Sequence, residues 1–202
     1  DVAPSRGLGD VYKRQVINYP QLMSAVTESP KIVYLCGAGA SMSLGAHQLS
    51  WTRWILEGKK YLTVLEQTQL EQKIGAWSTG ELIDAATYLL AGLKAAGCYT
   101  EFMDQTMGAL HPVDRTFQDA LQKIWRAGDL IATTNYDLQL EETVGSTGIS
   151  YTTPADILSV IRGKTGNKVI HLHGRYDREN GIDDIIADGP QYQSILDNSG
   201  AQ

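Results

Sequence analysis

The sequence predicts an α/β fold, a Rossmann-like and mostly parallel sheet with an inserted layer of helices. Three observations lead there. Short apolar, partly β-branched runs at residues 31–36, 129–133 and 168–172 have the length and composition of strands buried in a parallel sheet. Helical patterns lie between and after these runs, so strands and helices alternate along the chain. Small or polar motifs close all three runs, at the strand ends beyond which open α/β sheets bind their ligands.

Taken in order, residues 1–15 carry no periodicity, and they resemble the translation of a sequencing adapter. The codons GAT-GTG-TAT-AAG-AGA-CAG encode the last six, Asp10-Val11-Tyr12-Lys13-Arg14-Gln15. This segment is expected to stand outside the fold, leaving residues 16–202 as one domain, cut at both ends. The strand at 31–36 runs into Gly37 and is expected to be buried on both faces, with Cys36 a buried free thiol. Helical patterns follow at 41–57, with a break near Gly45, and at 63–74, 79–96, 101–108 and 113–127; these form the inserted layer. Within 79–96, Leu82, Ala85, Ala86, Leu89, Leu90 and Leu93 recur at three- and four-residue spacings on one apolar face, and Gly97 supplies the stop. Strands at 129–133, 149–152 and 168–172 enclose a helix at 154–162 with Pro154 in its first turn. A weaker strand at 182–187 and a short helix from Pro190 complete the order.

A chain of 202 residues is long enough to bury a real core. Its 43% hydrophobic and 20% charged content, with no apolar run near the ~18 residues of a membrane span, exclude disordered, collagenous and transmembrane classes. A net charge of −6 opposes binding to a polyanion, so nucleic acid is not an expected partner. Two cysteines, Cys36 and Cys98, cannot supply a four-thiolate zinc site, and His171 with His173 offers at most two neutral ligands. No metal is expected, and the thiol usage fits a reducing, cytoplasmic compartment.

The first motif is Gly37-Ala38-Gly39-Ala40-Ser41, between a strand and a helix. Glycine lets backbone approach a phosphate, and amides at the next helix start present donors to it. Ser43 stands where the last glycine of G-x-G-x-x-G would fall, so only part of that pattern is present. The second motif is Thr133-Thr134-Asn135-Tyr136-Asp137. Thr134 or Asp137 can cap the following helix, whereas the Asn135 amide can hold a ribose hydroxyl or orient water. Glu141 and Glu142, further along, read as helix surface or structural pairing. The third motif is His171-Leu172-His173-Gly174, where His173 lies nearer the rim and titrates in the range of a general base. His47 and His111 have no motif around them and read as surface or packing residues.

These motifs, in this order, resemble the sirtuin-like NAD-binding domain, in which a G-A-G-x-S loop, an asparagine strand end and a histidine-glycine strand end surround NAD. Met42-Ser43-Leu44-Gly45, Trp51 and Thr133-Thr134-Asn135-Tyr136-Asp137 look like the zinc-free bacterial branch of anti-phage defence, which includes the Thoeris NAD-hydrolysing effectors and defence-associated sirtuins. The resemblance runs from about Ile32 to Tyr192. The deacylase pattern G-I-P-x-F-R and the paired C-x-x-C motifs of the zinc module are absent. What the resemblance implies is an NAD glycohydrolase that depletes NAD, with NAD as substrate and no metal. Asn135 and His173 would be catalytic, and Gly37, Ala38, Gly39, Ala40, Ser41, Thr134, Asp137 and Gly174 would bind the dinucleotide. Ser41 would bond a phosphate or the nicotinamide ribose. A homo-oligomer and a further C-terminal sensor or effector domain are expected of the full-length protein. Protein deacylation and a non-catalytic NAD or ADP-ribose sensor are the alternatives.

Overall fold

The structure is a computed structural model that describes residues 24, 28, 31–45, 50–75, 78–126, 128–164 and 168–199. Residues 1–15, and His47 among the histidines, lie outside the described residues. The chain divides into two units, Asp1–Ile32 and Val33–Gln202. In the first, Ser24 and Glu28 are helical and the Ser24 hydroxyl donates to Glu28 Oε1 at 2.5 Å.

The second unit carries the α/β fold. Its strands β1 (Val33–Cys36), β2 (Leu130–Thr133), β3 (Thr147–Ser150) and β4 (Lys168–His171) form a parallel sheet in the order β1-β2-β4-β3. Between β1 and β2 come α1 (Ala38–Leu44), α2 (Trp51–Lys59), α3 (Val64–Lys73), α4 (Thr79–Ala95), α5 (Tyr99–Thr106) and α6 (Arg115–Ile124). Then α7 (Gln139–Val144) joins β2 to β3, and α8 (Pro154–Ile161) joins β3 to β4. A separate antiparallel pair, β5 (Tyr176–Asp177) and β6 (Ile182–Asp183), precedes α9 (Gly189–Ser199). The strand expected over 182–187 is thus only this short β6. Ile185, Ile186 and Ala187 are buried beyond the ladder; Ile185 and Ala187 pack into the helical layer, while Ile186 N donates to His173 O and its carbonyl accepts from the Tyr136 hydroxyl.

Three apolar clusters follow from the periodicities. On one sheet face Ile131 and Val169 pack with Leu44, Leu121 and Leu140 from α1, α6 and α7. On the other, Leu130, Ala132, Ile149 and Ile170 pack under Val160 of α8. The largest cluster belongs to the inserted helices, where Ala85, Ala86, Leu89, Leu90 and Leu93 of α4 meet Trp54, Ile55, Leu70, Phe102 and Met103. Capping boxes start α3 at Thr63 with Glu66 and α4 at Ser78 with Glu81. Gly97, at φ +68°, ends α4 while Cys98 N donates back to Leu93 O, as expected of a glycine stop.

One expectation is corrected. β1 is buried on one face only, since Val33 is 61% and Leu35 70% exposed, while Tyr34 and Cys36 pack inward. The reason lies in the strand order: β1 is at the sheet edge, and α8 covers the opposite face over β2, β4 and β3. Cys36 is half-buried, and that burial raises its thiol pKa. No described helix is long and apolar enough to cross a membrane.

Candidate functional site

Parallel strands point their carboxyl ends the same way, so the three motifs emerge on one rim. There a cavity of about 470 Å³ is lined by Ala38 and Ser41 from the first motif, Thr134, Asn135 and Asp137 from the second, and His173 from the third. Much of its remaining wall comes from the inserted helices and α9, with Trp51, Trp54, Leu82, Ile83, Met107 and Tyr192, together with Tyr136. The apolar helical layer therefore has a second role, as the wall of the site. Gly37, Gly39, Ala40 and Gly174 are outside the cavity lining.

The glycine turn is tighter than expected, because α1 begins at Ala38 rather than Ser41. Gly37 is its N-cap without a capping side chain, and the first turn of a helix leaves amides without intrahelical acceptors. A Cβ added at Gly39 would meet nothing within 4 Å. Glycine there costs helix stability relative to alanine and relieves no clash within the chain.

Asn135 ties the second motif to the first. Its Nδ2 donates to Gly37 O at 2.9 Å and to Ser41 Oγ at 2.6 Å. A main-chain carbonyl can only accept, which fixes the orientation of the amide. Both amide hydrogens are spent on the turn, so the group left for a ligand is the acceptor Oδ1. Ser41 passes the chain on: its hydroxyl donates to Asp137 Oδ2 at 2.8 Å. Asp137 Oδ1 accepts from the backbone and side-chain nitrogens of Gln139, each at 3.2 Å, which secures the start of α7. The Ser41 hydroxyl hydrogen expected to meet phosphate or ribose is thus held by Asp137, and both residues buttress the turn.

The two histidines of the third motif have different surroundings. His171 is 0% exposed, with Nδ1 2.9 Å from Asn135 O and Nε2 2.5 Å from Glu141 Oε1. His173 lies two residues beyond the strand, half-buried on the cavity wall, and its ring makes no hydrogen bond among the described residues. The edge of Tyr192 or of His173 meets the other ring at 5.5 Å and 85° between planes. Burial disfavours the imidazolium and holds the His173 pKa below its ordinary 6.5, which leaves a neutral ring able to take a proton. Gly174 completes the turn at φ +77°, where a Cβ would strike Asp184 O. Only glycine fits both conditions, so Gly174 shapes the exit from His173.

Sequence reasoning missed the cavity-lining Gln139, Leu82, Ile83, Met107 and Leu110. Only the apolar face of the 79–96 helix was a signal, and it reads as core. Glu141 pairs structurally, as expected, and Glu142 is exposed beside His111, 3.0 Å away. No group of three or more histidine, cysteine, aspartate or glutamate side chains suited to a metal occurs among the described residues. Compared with protein-family models and with curated proteins, the chain finds no match to either.

Proposed function

We propose that this chain binds NAD and hydrolyses the bond between nicotinamide and ribose. The observation that carries the reading is the meeting of two acceptors without a hydrogen bond among the described residues, Asn135 Oδ1 and the His173 ring, in one cavity beside the glycine turn. In the reaction the C1′–N bond breaks and its electron pair goes to the cationic ring nitrogen, so nicotinamide leaves neutral. Water forms the new C1′–O bond to an oxocarbenium-like ribose, and its proton passes to a ring nitrogen of His173. Asn135 Oδ1 accepts a hydrogen from the water or a ribose hydroxyl and fixes its direction. The apolar wall of Trp51, Leu82 and Met107 keeps bulk water from the reacting face.

The start of α1, where Ala38 and Ser41 line the cavity, would offer backbone donors to the diphosphate. A role in anti-phage defence by NAD depletion, in the cytoplasm, rests on the resemblance of the three motifs to that branch. The test is incubation of the chain with NAD, with and without an acetylated peptide, followed by product analysis. Nicotinamide and ADP-ribose formed without peptide are expected. O-acetyl-ADP-ribose formed only with peptide would assign deacylation instead, and NAD binding without any product would assign a sensor.

A further inference from the structure

The cavity wall carries a charge pattern of its own. Among the described residues that line it none is lysine or arginine, and its one carboxylate is Asp137. That carboxylate is met by the Ser41 hydroxyl and the two Gln139 nitrogens rather than by a cation, so its negative charge stays at the cavity. The polar atoms left beside it accept. Asn135 has spent both amide hydrogens and keeps Oδ1, and Gln139, also on the lining, keeps a buried Oε1 with no hydrogen-bond partner among the described residues. A phosphate brings acceptor oxygens and negative charge, which this end of the wall opposes. Ribose hydroxyls can donate to it.

The charge just outside the lining has the same sign. Asp184 lies against Gly174, next to His173, and is held by the Ser150 and Thr152 hydroxyls and by Arg175 N. Asp188 precedes α9, the helix that carries Tyr192, and accepts from Gln191 N. Arg175 follows Gly174, but its Nη1 turns to Asp177 at 3.4 Å and lies beside Gly148; Arg178 pairs with Asp104 at 3.4 Å. Both cations after the third motif are thus committed to other carboxylates, in a chain of net charge −6. The apolar wall completes the pattern. There the Trp51 ring centre stands 6.1 Å from that of Trp54 and 6.4 Å from that of Tyr136, and aromatic faces attract a cation. At about 470 Å³ the cavity has the size of sites that hold one small molecule.

We propose that the cavity takes a cationic N-ribosylpyridinium nucleoside, and that nicotinamide riboside, which has no phosphate, is a substrate in its own right. The chemistry rests on the NAD-hydrolysis reading, because the same bond is cut. The C1′–N bond of the riboside breaks and its electron pair goes to the ring nitrogen. The oxygen of water forms the C1′–O bond, and one proton of that water passes to His173, leaving nicotinamide and ribose. In NAD the same end enters the cavity, and the diphosphate stays at its mouth and adds little to turnover.

The experiment compares nicotinamide release from nicotinamide riboside and from NAD by the chain, at low and high salt. The riboside is expected to come within about tenfold of NAD in kcat/KM or to exceed it. Its kcat/KM is also expected to fall as salt screens the attraction of the acidic surroundings for its cation. NAD cleaved while the riboside falls short by more than about tenfold would overturn the proposal and leave the NAD reading standing. A riboside kcat/KM that salt does not lower would overturn it as well. Cleavage of the riboside but not of NAD would uphold it and remove NAD as the substrate. If neither is cleaved, the NAD reading and riboside turnover fail together, and calorimetry decides what the cavity takes. Tighter binding of the riboside than of ADP-ribose, which has the diphosphate but no cationic ring, would uphold the nucleoside site; the reverse, or no riboside binding, would overturn it.

Discussion

Asn135 is the residue on which the site turns, because one side chain fastens the glycine turn while its own backbone is fastened from behind by His171. Asn135→Asp tests the fastening with little change in shape. It removes both amide hydrogens and sets a carboxylate oxygen against the Gly37 carbonyl. We expect a loss of about 1–3 kcal/mol in denaturant unfolding, the cost of unmaking buried hydrogen bonds, and no loss would contradict the described amide orientation. His173 makes a separate prediction through pH. Its pKa is lowered by burial, so the unfolded chain binds the proton more readily, and His173 takes stability away as pH falls below about 6.5. Under the proposed hydrolysis turnover needs the neutral ring, so it should rise through an acid limb centred below 6.5 and then level off. An acid limb centred above 6.5 in the pH dependence of kcat/KM would exclude His173 as the base in this environment.

Among the elements, α1 and α4 carry the testable chemistry. Gly39 sits in the first turn of α1 with empty space where a Cβ would go, so Gly39→Val should fold normally. Its methyls would occupy the approach to the turn, and NAD saturation should be lost while thermal unfolding stays within about 1 kcal/mol of the parent. Unchanged NAD affinity by calorimetry would remove the turn from the binding surface. At the start of α4, Ser78 accepts from Glu81 N and closes a capping box, so Ser78→Ala should cost about 1 kcal/mol of stability without altering turnover. The elements also differ in how legible they were. The face of α4 could be read from leucine and alanine spacing because an amphipathic helix advertises its buried side locally. β1 could not, since Val33 and Leu35 look like core residues until the strand order puts them at an edge. His171 and His173 are alike in sequence, and only the position of Glu141 across β4 separates a buried pair from a ring open to a ligand.

At the scale of the molecule, the parallel sheet brings motifs from positions 37, 135 and 173 to one rim, and the inserted helices close the cavity over them. The α/β class and the meeting of the motifs were legible because parallel strands deliver all their carboxyl ends to one side. The apolar wall was not, since its residues obey helical core periodicity and turn towards a site only through packing between distant helices. We propose that this convergence cleaves NAD with His173 as base, and nicotinamide release against NAD concentration in the parent and His173→Ala decides it. The parent should release nicotinamide, and His173→Ala should lower kcat by ~10²-fold or more with a much smaller change in NAD affinity. Equal release by the parent and His173→Ala, or none by a parent that binds NAD, would contradict it.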